Sequence, residues 1–208
     1  MYGYVEIPLW AVTTWDKKFN TVEKWKQERS INYPYLLADE LFDLKRESGN
    51  VFLLSTGEKT GWTNEELAGA NLCEGEVVTL PWGKSRPVSE VIKYYKGKFI
   101  TADNRIATSN DTSILNNKFL YYWLQYRGNI IDTFYRGSGI KHPNMRMVLD
   151  LSIPLVDMTK QKEIVEKLDQ FDKMVNDLSN GLLAEIKARQ QQYEYYRNKL
   201  LTFKEKGN

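Results

Sequence analysis

Apolar positions along the chain follow two rhythms, and the change falls near Pro154. Before it, apolar runs are short and broken by Gly, Pro, Asn and Asp. Phe52-Leu53-Leu54, Val77-Val78-Thr79-Leu80 and Phe99-Ile100-Thr101 are β-type runs between turn formers, and they predict strands. One segment keeps a different period. From Asn116 to Tyr126, Phe119, Leu120, Trp123 and Leu124 recur at helical spacing and predict a helix. Tyr121, Tyr122, Trp123 and Tyr126 lie on that helix, and the spacing reads them as core. Residues 16–45 also alternate in a helical manner. The mixture predicts an α+β fold over residues 1–155, with a twisted, mainly antiparallel sheet and a few helices.

Beyond Pro154 there is no further proline, and the only glycines are Gly181 and Gly207. Asp157 or Thr159 can cap a helix start. Apolar residues then fall at Ile164, Leu168, Phe171, Val175, Leu178 and Leu182, in alternating steps of four and three, which is a heptad seam. Ile186 follows by another step of four, and the seam continues through Arg189, Tyr193, Tyr196, Leu200 and Phe203. Two consecutive fours make a stutter beside Asn180-Gly181, so a kinked helix or two helices end to end are both open. Residues 156–208 are expected to form a long coiled-coil helix for spacing or dimerisation, and 160–203 would span about 65 Å. A single helix cannot bury its own stripe, so the seam needs a partner helix. Tyr193, Tyr195 and Tyr196 would pack there with their hydroxyls wet.

Composition narrows the function classes. A hydrophobic share of 42% in 208 residues is enough for one full domain with an extension. The single cysteine, Cys73, excludes an intrachain disulfide. The N-terminal stretch has neither a basic n-region nor a long apolar run, so the expected location is cytoplasmic, with no membrane partner. Net charge is only +2, but residues 1–76 carry 8 Lys/Arg against 13 Asp/Glu and residues 77–158 carry 11 against 6. A basic middle segment fits a phosphate-facing surface, and ordinary scatter accounts for it equally well.

Catalytic patterns are missing. One histidine, His142, excludes a two-histidine metal site, and with Cys73 it makes no zinc set. Gly137-Ser138-Gly139 lacks the spacing of a dinucleotide loop. No Asn-Pro-Pro-aromatic tetrad of amino methyltransferases and no Pro-Asp with acid-x-Lys nuclease core occurs. The Glu185-Ile186-Lys187 triplet lies on the helix as a solvated face. Neither catalytic nor metal-binding residues are expected, and a binding or scaffold role is favoured.

From Leu151 onward the chain carries LSIPL (Leu151 to Leu155), Gln161, Ile164-Val165, Leu168-Asp169, GLLAEIKAR (Gly181 to Arg189) and QYEYYRNKLLTF (Gln192 to Phe203). Together these stretches resemble the conserved repeat of type I restriction–modification specificity subunits. Leu183 stands where family members often carry proline, which argues against a full break at Gly181. The first 150 residues match only in outline.

The resemblance implies one target recognition domain (1–155) and one spacer helix (156–208), half of a usual subunit. The chain is expected to dimerise through its helix, with Ile164, Leu168, Phe171, Val175, Leu178, Leu182, Ile186, Tyr193, Tyr196, Leu200 and Phe203 in the seam. As a homodimer it would read a split palindromic site, with major-groove contacts about 34 Å apart. Its partners would be double-stranded DNA, a methyltransferase subunit and a motor-nuclease subunit. No cofactor is expected here, S-adenosylmethionine belonging to the methyltransferase. The Met1 start and the short tail after Phe203 suggest a natural unit, with a fragment of a two-domain subunit as the alternative.

Readout needs donors and acceptors on loops that reach base edges. The first candidate loop offers Thr56, Lys59, Thr60, Trp62 and Asn64. The second offers Trp82, Lys84, Ser85 and Arg86. The third offers Arg136, Ser138, Lys141, His142, Asn144 and Arg146. Asn104-Arg105 is a weaker fourth candidate. Plain solvated turns are the competing reading for each loop. At the level of the whole chain the rivals are a coiled-coil adaptor that does not bind DNA and an enzyme with an unfamiliar site. Charge reversal at Lys84, Arg86 and Lys141 separates the adaptor, and turnover by the isolated chain would reveal the enzyme.

Overall fold

The computed structural model describes residues 4–55, 57, 60–84, 86–102, 105–138 and 141–201, with side chains omitted at 176, 178–180, 184, 190 and 193–201. The chain enters on β1 (Val5–Pro8), makes one helical turn, α1 (Leu9–Val12), and continues into β2 (Thr13–Trp15). A long irregular stretch leads to α2 (Ala38–Asp43), then β3 (Val51–Leu54), β4 (Trp62–Thr63) and α3 (Glu65–Ala68). The central hairpin is β5 (Cys73–Leu80) and β6 (Lys93–Thr101), with α4 (Val88–Val91) between them. There follow β7 (Arg105–Ser109), α5 (Asn117–Tyr126), α6 (Gly128–Asp132), the small pair β8 (Tyr135–Arg136) and β9 (His142–Pro143), α7 (Met145–Leu149), β10 (Ser152–Leu155) and α8 (Met158–Leu201).

Six strands form one sheet in the order β2-β7-β5-β6-β3-β4, and every neighbouring pair is antiparallel except β3 with β6. The fold is therefore mixed α+β with a mainly antiparallel sheet. β3 shows why its apolar run is continuous. Val51 and Leu53 pack on one face with Leu41, Ala68 and Ile100, whereas Leu54 packs on the other with Cys73, Val77, Phe99 and Ile106. A strand covered on both faces loses the polar alternation of a half-exposed one. Gly75 and Gly97 face each other in the β5–β6 ladder, and Gly97 has φ +138°, a backbone that L side chains rarely adopt.

The predicted helix over 116–126 is α5, capped by Asn116, whose side chain accepts from the N–H groups of Lys118 and Phe119. It buries Phe119, Leu120, Tyr122, Trp123 and Leu124, but Tyr126 is 79% exposed and is not core. Residues 16–45 are a correction. They hold only a 3-10 turn at Lys24–Lys26 and the short α2. Pro34 cannot sit in a helix interior. Buried Gln27 holds the stretch irregular, accepting from Phe19 N–H and donating to Lys17 C=O, while Ile31 and Asn32 donate to Trp15 and Asp16.

β1 pairs with β10, so Val5 meets Leu155 and Glu6 meets Pro154. Asp157 caps α8, its carboxylate accepting from Lys160 N–H at 2.9 Å. One turn on, Gln161 is fully buried; its Oε1 accepts from Asn116 N–H and its Nε2 donates to the carbonyls of Ile114 and Val156. α8 runs unbroken through Gly181, so the alternative of two helices end to end is set aside. One glycine costs about 1 kcal/mol in a helix interior, too little to break 44 residues with no proline nearby.

Two compact units result, Met1–Val165 and Glu166–Asn208. In the second, Phe171, Val175, Leu182 and Ile186 of the heptad seam are exposed, together with Met174 and Leu183. The side chains of Leu178, Tyr193, Tyr195, Tyr196 and Leu200, and the whole of Phe203, lie outside the described residues.

Candidate nucleic-acid interface

The second and third candidate loops meet. β5 ends at Leu80, and the chain turns out through Pro81, whose carbonyl accepts from the buried Tyr135 hydroxyl at 2.7 Å. Burial pushes that phenol up from its ordinary range, so it stays a donor. Lys84 forms an ion pair with Asp132 and lies over the Tyr135 ring, and Asp132 also accepts from Val88 N–H. The backbones of Lys84 and Lys141 form an antiparallel bridge. Trp82 and His142 place their rings 4.0 Å apart, and His142 Nδ1 lies 3.0 Å from the Trp82 carbonyl. The third loop can return because β8 and β9 pair, Arg136 opposite His142, with Gly137 at φ +139° beginning the turn.

The joined surface presents Trp82, 40% exposed, with exposed Arg136, Ser138 and Lys141, and partly exposed Arg86 and His142. The Arg105 guanidinium sits 5.9 Å from the Trp82 ring, so the weaker fourth candidate joins the second loop. Ser85 and Asn104 lie outside the described residues. Arg146 pairs with Glu23 at 2.8 Å, and Asn144 has a buried Oδ1. Lys84, read in the sequence as a DNA-facing cation, spends its charge on Asp132, with its side chain 11% exposed.

The first loop is fastened differently. Lys93, at the start of β6, donates from Nζ to the carbonyls of Ser55 and Gly57, and its N–H donates to Thr79 Oγ1 near the end of β5. The base of the first loop is thus tied to the strand pair from which the second loop leaves. Thr60 is buried, and Trp62 lies on β4 against Phe52, with rings 5.2 Å apart. Asn64 caps α3 by accepting from Leu67 N–H at 2.9 Å. Of this loop's described candidates, Trp62, at 40% exposure, and Asn64 reach the surface. Thr56 and Lys59 lie outside the described residues.

Sequence reasoning missed Lys93, Asp132 and Tyr135, the residues that hold the loops together. No local signal marks them, because each acts on a segment far away in the chain. It also missed a cleft of about 430 Å³ beside the edge strand β2, lined by Trp10, Thr14, Trp25, Gln27, Arg29 and Asn110 among others. Among the described residues no three of His, Cys, Asp or Glu cluster as metal ligands, and no helix is long and apolar enough to cross a membrane.

Comparison with known proteins addresses the family. The model of the type I restriction modification DNA specificity domain matches residues 20–188. The chain is 35% identical over 88 residues to the specificity subunit of the Escherichia coli type I restriction enzyme EcoR124I/EcoR124II, covering 41% of this chain and 22% of that protein. It is 33% identical over 114 residues to a putative type I restriction enzyme specificity subunit of Haemophilus influenzae, covering 52% and 27%. The match thus spans about a quarter of these relatives' length. In fold it is similar to the S subunit of a type I restriction–modification system from M. genitalium, with TM-score 0.59 and 20% identity, over 95% of this chain and 46% of that one. A chain from a structure describing complex assembly and conformational transition of a type I system gives TM-score 0.57 at 16% identity, over 92% and 44%. With the family model matched over most of its length, the chain belongs to the type I restriction–modification DNA specificity domain family.

Proposed function

We propose that this chain is the non-catalytic, DNA-reading part of a type I restriction–modification complex, and that it reads one half of a split site. The observation that carries the reading is the fusion of the second and third loops by the Lys84–Lys141 bridge and the Trp82–His142 contact. Fusion joins two separate turns into one donor-rich face, and sequence-specific readout needs such groups held together. Arg136, Lys141, Ser138, Arg86 and Trp82 supply the contacts, and Trp62 marks the flank from the first loop. Lys84, Asn64 and Arg146 hold the loops in place.

The family supports the division of labour that follows. A methyltransferase subunit docks on the chain, carries S-adenosylmethionine and modifies the base, and a motor-nuclease subunit joins for restriction. The exposed stripe of α8 pairs with a second such helix, supplied by a second copy of this chain, and places two heads over two half-sites. The test is binding of duplex DNA by the chain mixed with its methyltransferase subunit. A preference for one interrupted sequence at physiological salt is the expected result; binding that ignores sequence overturns the reading. Salt must be held fixed, because phosphate contacts alone bind any sequence at low ionic strength. Arg136→Ala and Lys141→Ala should each weaken binding and lower the salt dependence of log K by about one for every phosphate no longer neutralised.

A further inference from the structure

His142 is held in one tautomer. A carbonyl oxygen only accepts, so the 3.0 Å contact with the Trp82 carbonyl puts the proton on Nδ1. In the neutral ring Nε2 then keeps its lone pair. The ring is clamped on several sides. It lies 4.0 Å from Trp82, its backbone pairs with Arg136 across β8–β9, and the neighbouring Lys141 is bridged to Lys84. His142 remains partly exposed, and Nε2 makes no hydrogen bond among the described residues.

The surroundings give this acceptor its meaning. The Ser138 hydroxyl on this face can donate or accept, but Arg136, Lys141 and the Trp82 indole are donors only. Donors can meet phosphates and the guanine O6 and N7 acceptors, but they cannot meet an amino group. Nε2 is an acceptor set in that donor surface. Resting on the reading that this face contacts DNA, we propose that His142 Nε2 accepts a hydrogen bond from the exocyclic amino group of one base, adenine N6 or cytosine N4. That bond would fix one position of the recognised half-site. The two sources share one chemistry and differ only in the base that carries the amine.

The experiment begins with the complex of the chain and its methyltransferase subunit, which selects its site from a randomised duplex library. Each adenine of the selected site is then replaced in turn by purine, which lacks the 6-amino group. Each cytosine is replaced by pyrimidin-2-one, which lacks the 4-amino group. Loss of one amine is expected to weaken wild-type binding about fivefold, the size of one net hydrogen bond. In His142→Phe, which keeps a ring over Trp82, and in His142→Ala, that same replacement should cost nothing further, while every other position responds as in wild type. Purine sensitivity at the coupled position assigns adenine, and pyrimidin-2-one sensitivity assigns cytosine. A selective complex whose amine dependence is identical in wild type and both variants overturns the role of His142 and leaves the DNA reading standing. A wild-type complex that selects no sequence overturns the DNA reading, and this assignment with it.

Discussion

Gln161 shows how much one side chain can hold. It is fully buried, and its amide satisfies the Asn116 N–H and the carbonyls of Ile114 and Val156, joining the first turn of α8 to the loop before α5. Gln161→Leu keeps similar volume but leaves the Asn116 N–H and the carbonyls of Ile114 and Val156, all part-buried, without this partner. The loss should be about 3 kcal/mol, read as a lower urea midpoint with unchanged slope. Gly49 is constrained by space instead. A Cβ there would lie 2.0 Å from the Thr63 carbonyl oxygen, and backbone cannot step aside as a flexible side chain can. Gly49→Ala should displace β4 from β3 and cost about 2 kcal/mol in the same measurement. Cys73 is a chemical probe of the core. Burial pushes its thiol up to about 11, so at pH 8 it stays protonated, and the thiolate is the reactive form. Maleimide should label it slowly in the native protein and at once in denaturant; fast native labelling would show that this end of β5 opens.

At the scale of elements, the interface loops depend on a pair distant in sequence. Lys84 and Asp132 are partly buried, with side chains 11% and 25% exposed, so removing either strands the other. Lys84→Ala and Asp132→Ala should each lower stability by about 2 kcal/mol, and the double variant should lose clearly less than the sum. Lys141→Ala should leave the unfolding transition in place while weakening DNA binding, which separates loop support from DNA contact. This pair also marks the limit of what the sequence discloses. The strands at Leu53, Val78 and Ile100 and the helix α5 were legible because burial imposes a period on neighbouring residues. The period after Pro154 predicted a helix there, and α8 is that helix, with Phe171, Val175, Leu182 and Ile186 of the heptad pattern exposed. The stretch from 16 to 45 misled because its alternation comes from an irregular segment lying along β2 through Ile31 and Asn32. The three loops were recognisable as loops, since glycine and polar residues mark turns. Which of their cations face outward was not legible, because the carboxylate that claims Lys84 lies in another element and carries no local signature. Tyr126 was misread for a similar reason: periodicity locates the apolar face of α5 but not where its cover ends.

At the scale of the whole molecule, the open question is what covers the stripe on α8. Phe171, Met174, Val175, Leu182, Leu183 and Ile186 are each more than half exposed, on a helix face that also carries the turn-spaced Glu185–Arg189 pair. Fully burying one such side chain contributes about 1.5–3 kcal/mol, and a pairing helix reaches only part of each. Self-pairing of such a stripe is concentration dependent and therefore measurable. Light scattering of the purified chain across a dilution series should show a mass near twice 24.4 kDa at high concentration, falling on dilution. Leu182→Glu combined with Ile186→Glu should shift the protein to monomer while leaving the melting of the sheet-containing unit unchanged, since both residues lie in the other unit. A monomeric wild type at tens of micromolar would mean that the stripe serves a different chain. The two-headed reader would then have to be built from unlike halves, and the recognised site would lose its two-fold symmetry.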